Sequence, residues 1–234
     1  MNIIITGASR GIGYETAKLL SAEHKIIAIS RSAEKNKLPG ITALDFDFEN
    51  GDITKELLPE IKKHFESVDV LVNNAAALIK KPFDKISRKD FEKIFSVNVF
   101  SIAELTQAVI PLMTSPLSHA DRDLKSRSTS HVLNIASMGG IQGSMKFPGL
   151  SAYSSSKGAL ITLTECLAEE YKGKGISFNC IALGSVQTEM LGEAFPGFKA
   201  PVTAKEAAEF VTQFAITGQK YFNGKILQMA LSTP

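Results

Sequence analysis

Continuous runs of apolar, mostly β-branched residues recur at Ile3–Ile5, Ile26–Ile29, Val68–Val72, Val132–Ile135 and Ile176–Ile181, with helix-patterned segments between several of them. A half-exposed strand alternates apolar with polar positions, whereas an uninterrupted run means that both faces are covered. Such strands alternating with helices predict an α/β fold, here a doubly wound parallel sheet with helices on both faces. Two less regular segments, Ile41–Phe46 and Lys225–Met229, the latter after the turn signal Asn223-Gly224, bring the expected sheet to seven strands. Ser115–Ser130 is rich in Ser, Asp, Arg and Lys without an apolar period, which predicts a surface loop joining a helix to a strand. No internal repeat is apparent, and residues 1–234 read as a single domain.

Composition removes several classes of function. A hydrophobic fraction of 44% with 21% charged residues belongs to a globular chain, not to a disordered or disulfide-stapled one. The net charge of +2 is too small to imply a polyanionic partner, so nucleic acid is not expected. Met1-Asn-Ile-Ile-Ile-Thr-Gly carries no basic leader, and no run of about 18 apolar residues follows. A cytoplasmic protein without membrane contact is therefore expected. Cys166 and Cys180 sit among apolar neighbours and read as core filler in a reducing compartment. His24, His64, His119 and His131 lack metal-ligand spacing, so no metal is expected.

Candidate chemistry begins after the first apolar run. Thr6-Gly-Ala-Ser-Arg-Gly-Ile-Gly13 leads into a helical pattern through Tyr14–Leu20. Glycines at 7, 11 and 13 let the backbone turn tightly and approach a ligand, while free N–H groups at the helix start face negative phosphates. Glycine-rich turns after strands also arise for steric reasons alone, but the strand-turn-helix context points to a dinucleotide.

With its threonine and its G-x-x-x-G-x-G spacing, this segment resembles the turn of the short-chain dehydrogenase/reductase family. The resemblance implies a Rossmann fold and places Gly7, Ser9, Arg10, Gly11, Ile12 and Gly13 at the cofactor. The second strand ends in Ser30-Arg31-Ser32, where a fold preferring NAD usually offers an acidic residue. Arg31, helped by Arg10, can instead pair a 2′-phosphate, which favours NADP(H) over NAD(H), although both arginines can equally be solvated charges. Asp45 resembles the adenine-contacting aspartate of the family, with Asp47 as the alternative in Asp-Phe-Asp-Phe. Either can also cap the following helix.

Further motifs follow in family order. Val68-Asp-Val-Leu-Val-Asn-Asn-Ala-Ala76 resembles the fourth strand and its Asn-Asn-Ala-Gly signature, which carries Asn73 and Ala75 to the cofactor; Ala76 replaces the usual glycine. Asn98 sits inside a helical pattern where asparagine has poor propensity. The resemblance places it at a local helix distortion, holding a water linked to the active-site lysine. Cys180-Ile-Ala-Leu-Gly-Ser-Val-Gln-Thr188 is similar to the region that wraps the nicotinamide, with Gly184, Val186 and Thr188 as contacts and Leu183 in place of the usual proline. Residues 189–199 would then face substrate, with Met190, Leu191, Phe195 and Phe198 forming either an apolar lid or a packed connection.

In Ser151-Ala-Tyr-Ser-Ser-Ser-Lys157 the phenol and ammonium are four residues apart, so on a helix they share one face. A nearby cation favours the phenolate, so Lys157 is expected to raise the acidity of Tyr153, making it a general acid toward a carbonyl or a base toward an alcohol. A lone Tyr-x-x-x-Lys is common by chance. What makes it specific is His131-Val-Leu-Asn-Ile-Ala-Ser137, a strand pattern ending in serine. In the family that serine polarises the substrate carbonyl, giving Asn98, Ser137, Tyr153 and Lys157 as a tetrad. No G-x-S-x-G surrounds Ser137, so a hydrolase is not supported.

Together these motifs imply an oxidoreductase moving hydride between a nicotinamide and a carbonyl or secondary alcohol. The alternative class is a non-catalytic NADP(H)-binding regulatory or scaffolding protein. The family resemblance also implies a small-molecule substrate and a homo-oligomer.

Overall fold

The computed structural model describes residues 1–32, 39–113 and 130–231. Its main sheet has seven strands in the order β3-β2-β1-β4-β5-β6-β9. These are β1 (Asn2–Thr6), β2 (Lys25–Ser30), β3 (Ile41–Asp45), β4 (Val70–Asn73), β5 (Ser130–Ser137), β6 (Ile176–Leu183) and β9 (Ile226–Met229). Every pairing within it is parallel. The expected seven strands are thus present, with Val68 buried just ahead of β4 rather than inside it. A small separate pair, β7 (Val186–Gln187) with β8 (Val202–Thr203), was not anticipated. Two residues each are too short to leave a periodic signal.

The continuous apolar runs are explained by two cores. Side chains of successive strand residues point to opposite faces. Ile3, Ile5, Ile26, Ala28, Val70, Val72, Leu133 and Ile135 therefore pack on one side, against α1 (Gly11–Leu20) and α7 (Ala204–Thr217). Ile4, Ile27, Ile29, Leu71, Val132 and Phe178 pack on the other, against α2 (Leu58–His64), α4 (Ser101–Met113) and α5 (Ser151–Glu170). Each fully buried isoleucine contributes about 2 kcal/mol of burial, which makes a polar substitution on either face costly.

The remaining helices are α3 (Arg88–Phe95) and α6 (Glu189–Ala194). α3 runs through a π-helical turn, Ser96–Phe100, into α4. The resulting 26-residue helix is long and apolar enough to cross a membrane by length and composition. Its apolar positions Ile94, Leu105, Val109 and Met113 are nevertheless buried, which accounts for its hydropathy as a core helix. The loop expected at Ser115–Ser130 lies outside the described residues except for Ser130, the first residue of β5.

Candidate active site

In a parallel sheet the carboxyl ends of all strands share one edge, where ligands of open α/β sheets bind. The cofactor and catalytic candidates gather there. Gly7–Gly13 follow β1, Arg31 follows β2, Asp45 ends β3, Asn73 ends β4 with Ala75 just beyond it, Ser137 ends β5, and Gly184–Thr188 follow β6. Tyr153 and Lys157 approach the same edge from the first two turns of α5.

The glycine turn permits close approach. Gly7 has φ 67° and Gly11 φ 59°, left-handed conformations disfavoured by any side chain. A Cβ on Gly13 would collide with the Asn74 amide and the Gly7 carbonyl. Asn74 donates through Nδ2 to the Thr6 and Gly7 carbonyls at 3.0 and 3.2 Å. The Thr6 hydroxyl accepts from the N–H groups of Asn74 and Ala75 at 3.0 and 2.9 Å, so the turn is locked against the end of β4. α1 opens from it with neither a side-chain cap nor an acid in its first turn. By contrast, α3 and α7 carry complete capping boxes, Ser87 with Asp90 and Thr203 with Glu206. Uncapped N–H groups at the positive end of a helix suit a phosphate, and the residues present fit a dinucleotide.

The two arginines are placed differently. Arg31 is exposed just beyond β2. Arg10 pairs through Nη1 with Glu193 of α6 at 2.8 Å, so its guanidinium already has an anion beside it. Asp47 is committed to a turn, accepting from the Asn50 side chain at 2.9 Å and from the Glu49 N–H at 3.0 Å. Those bonds, with smaller pulls from Arg31 and Lys93, hold its carboxyl below the usual range. Asp45 ends its strand opposite Ser30 with an exposed side chain.

Asn73, expected at the cofactor, turns its side chain the other way. It is fully buried, donating to Thr106 Oγ1 at 3.2 Å and Asn134 Oδ1 at 2.9 Å, and Asn134 donates onward to Thr164 at 2.9 Å. This network ties the sheet to α4 and α5, so any cofactor contact from Asn73 falls to its main chain. Ala76 is unstrained, since no described non-glycine residue has a positive φ.

Asn98 lies in the π-helical turn, the kind of local distortion expected for it. Its Oδ1 accepts from the Ala77 N–H at 2.7 Å, and its Nδ2 donates to the Ala77 carbonyl at 2.9 Å and to Ser156 Oγ at 3.0 Å. With its amide taken up by protein partners, the side chain braces the segment after β4 against α5. A relay water would have to use the main chain of this turn.

Ser137 is the last residue of β5, and its Oγ accepts from the Gly139 N–H at 3.2 Å. The Tyr153 phenol lies close enough to this hydroxyl to feel its pull. Lys157 is 2% exposed and donates through Nζ to the Ile135 carbonyl at 2.8 Å. Burial pushes its ammonium down to about 8, partly offset by Cys180 nearby. The expected acidifying effect of Lys157 on Tyr153 is absent from this arrangement. Loss of hydration pushes the half-buried phenol up to about 12, with Ser137 pulling the other way. The ammonium is turned to Ile135, and Nζ stands 5.9 Å from the centre of the tyrosine ring. The phenol consequently holds its proton across the neutral range.

The segment expected to face substrate folds as α6 and a turn. Thr188 caps α6 by accepting from the Leu191 N–H at 3.3 Å, and the β7–β8 pair closes the base of the segment. Met190, Leu191 and Phe195 are half-buried, while Phe198 is exposed. Leu183 lets β6 continue through the position of the usual proline, pairing with both Ser137 and Met229. Gly184 donates from its N–H to the Met229 carbonyl at 2.8 Å.

One concavity, about 680 Å³ beside Ile53, Glu104 and Pro111, is lined by none of the catalytic candidates. A second, about 600 Å³, backs onto the turn after Ser137 and is lined by Ile141, Phe147 and Ser154. Neither contains Tyr153. Convergent donors, rather than hollow volume, define the site. Among the described residues no group of three or more His, Cys, Asp or Glu side chains is placed to hold a metal. Sequence reading missed the bonds of Glu193, Ser156 and the Ile135 carbonyl, because each acts on a partner far away in the chain.

A sequence model of the short chain dehydrogenase family matches residues 1–197. The chain belongs to that family. A 3-oxoacyl-(acyl-carrier-protein) reductase of Staphylococcus epidermidis is 29% identical over 198 residues, covering 80% of this chain and 75% of that protein. A 3-ketoacyl-(acyl-carrier-protein) reductase from Brucella melitensis, solved with NADH, superposes with a TM-score of 0.83 at 21% identity over 97% of this chain and 95% of that one. A short chain dehydrogenase from Burkholderia cenocepacia, solved with NADP, gives a TM-score of 0.80 at 23% identity, again over 97% and 95%. The fold is therefore that of Rossmann-type dehydrogenases, and the family's chemistry is oxidoreduction with a nicotinamide cofactor.

Proposed function

We propose that the protein is an NADP(H)-dependent oxidoreductase that interconverts a carbonyl and a secondary alcohol in a small-molecule substrate. The observation that carries this reading is the half-buried Tyr153 phenol beside Ser137, with Lys157 buried one turn further along α5 at the same edge as the uncapped α1. When bound, the reduced nicotinamide supplies the hydride. Tyr153 donates its proton to the substrate oxygen, and the Ser137 hydroxyl hydrogen-bonds that oxygen as negative charge develops. A neutral phenol is the form a reduction requires. Lys157 has donors beyond the one given to Ile135 and can reach the nicotinamide ribose, an arrangement that would also bring its charge to bear on Tyr153. Gly7–Gly13 hold the phosphates, Asp45 the adenine, and Gly184, Val186 and Thr188 the nicotinamide.

Arg31 supports the preference for NADP(H), because it is exposed at the end of β2, where a ribose phosphate would lie, while Glu193 occupies Arg10. The reading extends to one domain, a cytoplasmic setting and a homo-oligomer, as in the family.

Turnover of NADPH across a panel of ketones and aldehydes, with Tyr153→Phe as control, tests the reaction. Turnover that falls by about a thousandfold in the variant is expected; undiminished turnover, or cofactor binding with no turnover across the panel, overturns it. Titration of NADPH and NADH against wild type and Arg31→Ala tests cofactor choice, and tighter NADH binding by wild type would contradict it.

A further inference from the structure

We propose that Lys80 is a specificity-determining residue that selects substrates carrying an anionic group, namely keto acids and the corresponding hydroxy acids; this rests on the oxidoreductase reading above. The side chain contacts the end of α6, the Phe195 ring and Gly149. Its Nζ donates to the Ala194 carbonyl at 3.0 Å, at the C-terminal end of α6, and stands 3.9 Å from the centre of the Phe195 ring. Phe147 packs edge-on against Phe195 with centroids 5.9 Å apart. The stem of Lys80 lies against Gly149, where an added Cβ would be 3.1 Å from its Cγ, and the neighbouring Lys81 N–H donates to the Gly149 carbonyl at 3.0 Å. Gly149 precedes Tyr153 by four residues, a stretch of chain spanning at most about 15 Å. The ammonium is thus anchored between the substrate-facing segment and the start of the helix that carries the proton donor.

What marks Lys80 is that it has no counter-ion among the described residues. The acids on either side are taken by other cations: Asp90 by Lys81 at 2.8 Å, and Glu193 by Arg10 at 2.8 Å. Lys80 forms no ion pair with a described carboxylate; its partners are a carbonyl oxygen and an aromatic ring, both neutral. Lys146, next to Phe147, adds a second charge with only the Ile141 and Ser144 oxygens as partners. A cation held by neutral groups retains its attraction for an incoming anion, and Lys80 is exposed and so accessible to one. One of its three donors is used by Ala194, leaving two for a carboxylate. A neutral carbonyl substrate gains nothing from this group.

The test compares 2-, 3- and 4-oxopentanoate with their methyl esters, measuring kcat/KM with NADPH in wild type, Lys80→Met and Lys80→Arg. Wild type is expected to favour at least one acid over its ester by about tenfold or more, with the preference weakening as salt is added. Lys80→Met keeps the stem and loses the charge, so the acid-to-ester ratio should collapse while ester turnover stays within about threefold; Lys80→Arg should keep the preference. A purely structural clamp on α6 would lower acids and esters together, leaving the ratio unchanged and overturning the proposal. Esters turned over with no acid preference at any chain length, or these six compounds inert while other carbonyls react, also overturn it. If no carbonyl reacts at all, the oxidoreductase reading itself fails, and this inference with it.

Discussion

Lys157 and His131 are both buried ionisable side chains, 2% and 0% exposed, and burial lowers the proton affinity of each. His131 is closed on all sides. Its Nδ1 lies 2.9 Å from the Ala215 carbonyl, its Nε2 lies 3.1 Å from Asn179 Nδ2, and Phe214 packs edge-on at 5.6 Å. Those partners suit a neutral ring that donates from Nδ1 and accepts at Nε2. Asn179 continues the network by donating to the Phe222 carbonyl at 3.0 Å and accepting from the Lys225 N–H at 3.0 Å, which fixes the approach to β9. Lys157 donates to the Ile135 carbonyl, its one hydrogen-bond partner among the described residues, and stands at the edge where Ser137 and Tyr153 lie. Burial alone does not mark a functional group. The difference lies in unfilled bonding capacity facing a cleft.

The largest effect should follow Lys157→Met. Turnover is expected to fall on the order of a thousandfold, while thermal stability holds or rises because a buried charge has been removed. A melt showing loss of stability with turnover per folded molecule preserved would erase the contrast with His131. His131→Leu should do the reverse, costing about 3 kcal/mol by stranding the Asn179 amide and Ala215 carbonyl while leaving kcat per folded molecule unchanged. Denaturant titration beside an activity assay separates the two.

A pH series sharpens the same comparison. The His131 ring is pushed down to about 4 by burial, from the ordinary 6.5, against the weaker opposing pull of the Ala215 carbonyl. Between those values the unfolded chain binds the proton and the folded chain does not. The contribution is therefore complete above pH 6.5 and is lost as pH falls toward 4, amounting to at most about 3 kcal/mol. His131→Leu should flatten this part of the acid limb; an unchanged slope would mean that other groups set it. The smallest effect concerns Arg10. Glu193→Gln should tighten NADPH about two- to fivefold with little change for NADH, since an exposed ion pair contributes at most about 1 kcal/mol. Equal changes for both cofactors would show that Arg10 does not meet the ribose phosphate.

Legibility followed the range of the interactions. The strands at Ile3–Ile5 and Val132–Ile135 could be read because two-sided burial leaves an uninterrupted apolar run. Tyr153 and Lys157 could be paired because helical spacing is local. The direction of the Asn73 side chain was not legible, since a polar residue at a strand end can face cleft or interior, and only the positions of Thr106 and Asn134 determine which. The influence of Lys157 on Tyr153 could not be read for a similar reason. Spacing brings two side chains to one face, but the Ile135 carbonyl, on another strand, decides where the ammonium points.

By itself the sequence determined the order of strands and helices, the glycine turn, and the succession of motifs that identifies the family, since each depends on residues close together in the chain. Tertiary structure alone decided that Glu193 meets Arg10, that Asn98 braces Ala77, and that Lys80 meets the Ala194 carbonyl and the Phe195 ring. The physical reason is that hydrophobic periodicity and backbone geometry act locally. Charge compensation and hydrogen-bond satisfaction depend on which distant side chains the fold brings within a few ångströms.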